Sequence, residues 1–120
     1  MWFILTASIL LLLSACATTQ NAFPKITIYG AGIAIDRVSD HWLDTGELQV
    51  VVYGHSLVSY RRALRYRAQW IDDAGRPIET VLSTWNPMQL DGGRPFDLSF
   101  VGPGSRARDY RIEIEVMEKQ

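Results

Sequence analysis

A single cysteine, Cys16, stands in the 120 residues of the chain, which excludes an intrachain disulfide. Charge is missing from Met1 to Ala15, and the segment Ile4 to Leu13 is aliphatic apart from Thr6 and Ser8. This run of roughly ten residues falls short of the about 20 that a membrane-crossing helix needs. A basic excess is also missing, since 12 Lys and Arg face 13 Asp and Glu for a formal net charge of -1. That balance argues against a dedicated nucleic-acid binder, and no nucleic-acid partner is expected. There is no internal repeat, no low-complexity tract and no useful length of 3.6-residue apolar stripe, so helix should be scarce. The two histidines, His41 and His55, lack zinc spacing. Ser56 follows His55 directly, but neighbouring side chains on a strand point to opposite faces, and neither a nucleophile elbow nor a Cys-His pair is present. These absences give a non-enzymatic reading with no metal and no cofactor.

What is present begins at the N-terminus. An apolar core that ends in small residues reads as an export signal. Leu13-Ser14-Ala15-Cys16 resembles the lipobox of bacterial lipoproteins, in which the cysteine is acylated and becomes the first residue of the mature protein. A buried structural thiol would have to lie inside the fold, yet Cys16 sits between the apolar core and the linker-like Ala17 to Phe23. A working thiol would need a positioned base, and neither histidine is near in sequence. The resemblance implies a signal peptide over 1–15, a lipidated Cys16 with a tether over 16–24, and a folded domain over 25–120. Two buried acyl chains already give stable attachment, so the membrane is a partner through the lipid anchor alone. Ala17 stands where inner-membrane lipoproteins of Gram-negative bacteria commonly carry Asp, which implies the outer membrane, facing the periplasm.

The mature part reads as strands. Ile26 and Ile28, then Ile33 and Ile35, alternate at period two around a bend suggested by Gly30 and Gly32. Leu48, Val50 and Val52 share one side of a strand that should end at Gly54, a turn signal. Leu64, Tyr66, Ala68 and Trp70 point one way while Arg65, Arg67 and Gln69 point the other, and Asp72 to Gly75 closes that segment. Ile78 to Thr84 reads as a further extended piece, followed by Asn86-Pro87. Phe96, Leu98 and Phe100 alternate with Asp97 and Ser99, and Tyr110, Ile112, Ile114 and Val116 alternate with Arg111, Glu113 and Glu115. About seven short strands with turns near every ten residues predict an all-β chain, a single antiparallel β-sandwich, with a small barrel as the other closed solution.

The ordered set of a lipobox, Tyr66-Arg67-Ala68-Gln69-Trp70-Ile71-Asp72 with Gly75, Trp85, Gly102-Pro103, and a last strand through Tyr110, Arg111 and Ile112 resembles the YcfL family of small periplasmic lipoproteins. The resemblance is strongest from about Leu48 to Ile114 and departs from the family at Tyr53-Gly54-His55-Ser56, where relatives turn with an Asn-containing segment. It implies an immunoglobulin-like fold and an outer-membrane lipoprotein. Some members are encoded beside an activator lipoprotein of peptidoglycan synthesis, which implies a link to cell-wall assembly.

Three residues stand out as candidates for interaction. Arg65 and Arg67 share the outward face of one strand; they form either a patch for an anionic partner or ion pairs with Glu113 and Glu115 on the last strand. Trp85, before Asn86-Pro87, is either an exposed loop aromatic suited to binding or a plug at the core edge. Trp42, beside Asp40 and His41, carries the same ambiguity. The function expected from these features is a non-catalytic envelope lipoprotein that binds another periplasmic protein. The alternative is a module that captures a small molecule, peptide or glycan.

Overall fold

The computed structural model describes residues 23–117. Eight strands form in chain order: β1 (Ile26–Tyr29), β2 (Ile33–Trp42), β3 (Leu48–Ser56), β4 (Arg62–Ile71), β5 (Pro77–Ile78), β6 (Asn86–Leu90), β7 (Pro95–Val101) and β8 (Asp109–Val116). They pack as two sheets. One has the order β1-β8-β4, with β5 and β6 sharing the far edge of β4; the other is β2-β3-β7. The chain is thus the all-β sandwich that the alternation predicts. One pair departs from the antiparallel expectation, because β1 runs parallel to β8, with Ile26 opposite Ile112 and Ile28 opposite Ile114. Such a pair requires a long connection, and here nearly the whole domain lies between its two strands.

Burial follows the period-two pattern. Along β3 every second residue from Leu48 to Ser56 is buried, and β7 alternates strictly between exposed and buried positions. Trp70, Leu64, Leu98, Ile112, Ile114, Val50 and Val52 are the largest fully enclosed side chains. Each contributes roughly 1.5 to 3 kcal/mol by leaving water. Aromatic edges reinforce the packing: Tyr66 of β4 meets Phe100 of β7 across the sheets at 5.6 Å between ring centres, and Trp70 meets Tyr110 on the neighbouring strand at 6.5 Å.

Two expectations are corrected by the fold. Gly54 does not end its strand. It pairs with Ile35 on one side and Phe96 on the other, and β3 continues to Ser56. The glycine serves close approach instead: a Cβ there would lie 2.6 Å from the Phe96 ring and 2.5 Å from the Ala34 carbonyl. The segment from Ile78 to Thr84 is extended only at its start. Val81–Ser83 turns as one 3₁₀ coil, closed by the Ser83 amide on the Thr80 carbonyl at 3.0 Å and by the Thr84 hydroxyl on the Val81 carbonyl at 3.0 Å.

Candidate interaction face on the outer side of the larger sheet

The antiparallel register of β4 and β8 sets Arg65 opposite Glu115 and Arg67 opposite Glu113, all on the solvent side. Both pairs close. Nε and Nη2 of Arg65 donate to one oxygen of Glu115 at 3.0 and 2.7 Å, and Nη2 of Arg67 donates to both oxygens of Glu113 at 3.2 Å. The arginines therefore do not form an unpaired basic patch; of the two readings of this strand face, the paired one holds. Trp85 fits neither of its expected places. Because β6 enters the sheet with Asn86 opposite Tyr66, the preceding Trp85 is delivered to the outer face beside Arg67. Its indole lies 4.4 Å from both guanidinium carbons, half-buried on top of two ion pairs. Arginine is well suited to this role because its planar, weakly hydrated cation can stack on a ring while its N–H groups remain bonded to carboxylate. Arg65 and Arg67, read from the sequence as one strand face, and Trp85, read apart from them, are thus one cluster.

The face extends further than those three residues. Tyr29 lies opposite Glu115 on β1 and is 49% exposed, and Pro87 lies opposite Arg65 on β6. A row Tyr29-Glu115-Arg65-Pro87 therefore crosses four strands. Tyr29 was missed in the sequence because its place depends on the parallel pairing of β1 with β8, which local alternation does not reveal.

Residues 25–116 match the family described as "Protein of unknown function (DUF1425)". The chain belongs to the DUF1425 family. Among solved structures, that of Campylobacter jejuni cj0090 superposes with a TM-score of 0.66 at 20% identity, covering 82% of this chain and all of that one. A DUF1425 family member from Shewanella sp. pv-4 superposes with a TM-score of 0.64 at 17% identity, covering 73% of this chain and 81% of that one. At these identities the likeness shows the fold. No functionally curated protein matches the chain.

Elsewhere in the DUF1425 domain, His55 and Ser56 lie on opposite faces of β3. The His55 ring nitrogen Nδ1 is 2.9 Å from Asp36, which sits in a bulge of β2 between Ile35 and Arg37. Ser56 is buried, and its hydroxyl bonds the Val58 carbonyl at 3.3 Å. Trp42 is half-exposed at the end of β2 with the Arg108 guanidinium 5.3 Å from its ring. Near the chain entry, Phe23, Ile26, Val38, Asp40 and Tyr110 line a notch of about 150 Å³. There the Tyr110 hydroxyl donates to Asp40 at 3.0 Å, and burial, then the Asp40 carboxylate, push the phenol well above its ordinary range. Lys25 lies 2.7 Å from Asp109 and holds that carboxyl below its usual value. Among the described residues no three of His, Cys, Asp and Glu converge as a metal site, and no helix is long and apolar enough to cross a membrane. Cys16 and the expected signal segment lie outside the described residues.

Proposed function

We propose that this DUF1425 chain is a non-catalytic, YcfL-like lipoprotein, acylated at Cys16 and held at the outer membrane facing the periplasm, that serves as a protein-interaction module with a role in cell-wall assembly. The observation that carries the reading is Trp85 laid across Arg65 and Arg67, each guanidinium already fixed by a glutamate. Tryptophan, tyrosine and arginine are the side chains that most often anchor protein interfaces. Here the two arginines are held in place before any partner arrives, so ordering them costs little on binding. Because their charges are already matched, the face suits a protein surface with its own polar and apolar groups better than a highly charged polymer. Capture of a small molecule has less support, since the hollows beside Tyr110, Asn86 and Ala107, at about 150, 240 and 280 Å³, each fall below the roughly 300–1,000 Å³ of ordinary ligand pockets.

The test is site-specific photocrosslinking in cells, with the probe placed at Gln89 beside the face and at Arg37 on the other sheet. A protein captured from Gln89, lost on Trp85→Ala while the domain still melts cooperatively, supports the module. Equal capture from both positions, or capture unaffected by Trp85→Ala, overturns the assignment of this face. For the anchor, Cys16→Ala should abolish metabolic labelling with a fatty acid, and persistent labelling would reject the lipidation site.

A further inference from the structure

Sheet edges are exposed rows of backbone donors and acceptors, and proteins usually blunt them. Most edges of this sandwich carry such a device. The outer edge of β2 is broken by the bulge at Asp36 and carries an inward-pointing charge, Asp40, bound to Tyr110. In β6, Pro87 removes an amide; β5 has two residues, the first of them Pro77; β1 has four.

β7 is different. The Gly102 amide donates to the Leu48 carbonyl at 2.8 Å and the Ser56 amide to the Arg94 carbonyl at 3.0 Å, which fixes the parity of its ladder with β3. Even-numbered residues of β7 bond to β3, and the backbone groups of Asp97, Ser99 and Val101 point away from it. No other strand pairs with β7 among the described residues. Pro95 blocks only the start of this edge, and the ladder from Asp97 to Val101 has no bulge. Beside it, on the open flank of the sandwich, Tyr66, Trp70, Asn86, Ser99, Phe100 and Val101 line a groove of about 240 Å³. A strand hydrogen-bonded to Asp97, Ser99 and Val101 would aim the side chains opposite Leu98 and Phe100 into this groove.

We propose that the edge of β7 from Asp97 to Val101, open among the described residues, is a strand-addition site for an extended segment of a partner protein, which seats one aromatic side chain with a polar end in the groove between Phe100 and Asn86. The backbone row selects an extended chain, and a groove that sets Asn86 and Ser99 beside the rings of Tyr66 and Phe100 selects a side chain with an apolar body and a polar tip. A second copy of this chain would not complete the site. In a β7-to-β7 pair the inward side chains, Leu98 at 1% exposure and Phe100 at 7%, remain buried in their own core and leave both grooves unfilled. This inference deepens the interaction-module reading and rests on it only in taking the partner to be a protein.

The probe is a library of random heptapeptides displayed on phage and selected on the full-length chain, followed by amide hydrogen exchange with the enriched peptides. Binding should slow exchange at Asp97, Ser99 and Val101 at least tenfold. Ser99→Pro removes one outward amide without breaking a bond to β3, and should weaken binding at least tenfold. Asn86→Phe, which fills the groove from β6 and leaves the β7 backbone intact, should weaken binding similarly and serves if the proline variant does not fold. Enrichment of no peptide, binding without protection of those amides, or a dimer that already protects them would overturn the proposal. Peptides lost on Trp85→Ala but not on Asn86→Phe would reject the edge while sustaining the outer face. A lack of peptides together with a lack of crosslinked protein would remove both.

Discussion

The Tyr110 hydroxyl and the Asp40 carboxylate meet at 3.0 Å and tie β8 of one sheet to β2 of the other. Tyr110 itself is buried against Trp70, with the Lys25 ammonium 4.8 Å from its ring. Removing the hydroxyl by Tyr110→Phe leaves the ring packing in place and should cost about 1 kcal/mol, the usual net worth of one hydrogen bond; Asp40 stays exposed to water and is not stranded. Chemical denaturation at neutral pH measures this directly.

The same contact gives the alkaline limb of stability a definite sign. Burial and the Asp40 carboxylate raise the phenol pKa in the folded state, so the native protein holds the proton more tightly than the unfolded chain does. The stabilisation is complete below the unfolded phenol value near about 10 and is lost as pH rises from there through the folded value. Stability should therefore fall more steeply above pH 10 in the parent chain than in Tyr110→Phe. At the acid end Asp109 is held below its ordinary value, first by its bond to Lys25, so the help it gives is present above the usual carboxylate range and disappears as pH falls. Lys25→Met should flatten the acid limb and leave the alkaline limb steep. Melting temperatures recorded from acid to alkaline pH test both limbs on the same samples.

Gly54 tests how tightly β3 is enclosed. Its α-carbon faces the Phe96 ring and the Ala34 carbonyl, so a methyl group can enter only if β2 or β7 yields. Gly54→Ala should destabilise the domain by about 1–3 kcal/mol through overpacking. Combined with Phe96→Leu, which clears the ring, it should cost less than the sum of the two single changes, and a double-mutant cycle in urea gives that coupling. Strict additivity would mean that the strain is relieved elsewhere.

The Gly54 case also shows which parts of this fold were legible in the sequence. Inward and outward residues of β4, β7 and β8 follow from alternation alone, because a one-sided sheet leaves no other use for Leu64, Phe96 or Ile114. A glycine within such a run is ambiguous. It can mark a turn or a close approach, and only the partner strand, here the one carrying Phe96, decides. The parallel pairing of β1 with β8 was hidden for the same reason, since Ile26 and Ile112 lie at opposite ends of the domain. Within the candidate site, Arg65 and Arg67 were readable as a strand face and Glu113 and Glu115 as their counterparts. The stacking of Trp85 was not, because it depends on where a 3₁₀ turn after β5 delivers the chain.

The ladder itself separates stability from recognition. Each Arg-Glu pair joins two partly exposed side chains, so solvent screening limits it to about 0.2–1 kcal/mol, and salt should reduce it further. Arg67→Glu alone places two like charges opposite each other and should lower the melting temperature by a few degrees at low salt. Adding Glu113→Arg restores opposite charges and should recover most of that loss. The exchange also moves the cation from β4 to β8, away from Trp85, so the indole loses one of its two stacked guanidiniums while the sheet keeps its charge balance. If the outer face recognises a partner through Trp85 held on two arginines, the swapped protein should melt near the parent temperature and yet lose crosslinking from Gln89. Full capture by the swapped protein would show that charge pairing, and not the seating of Trp85, is what this face contributes.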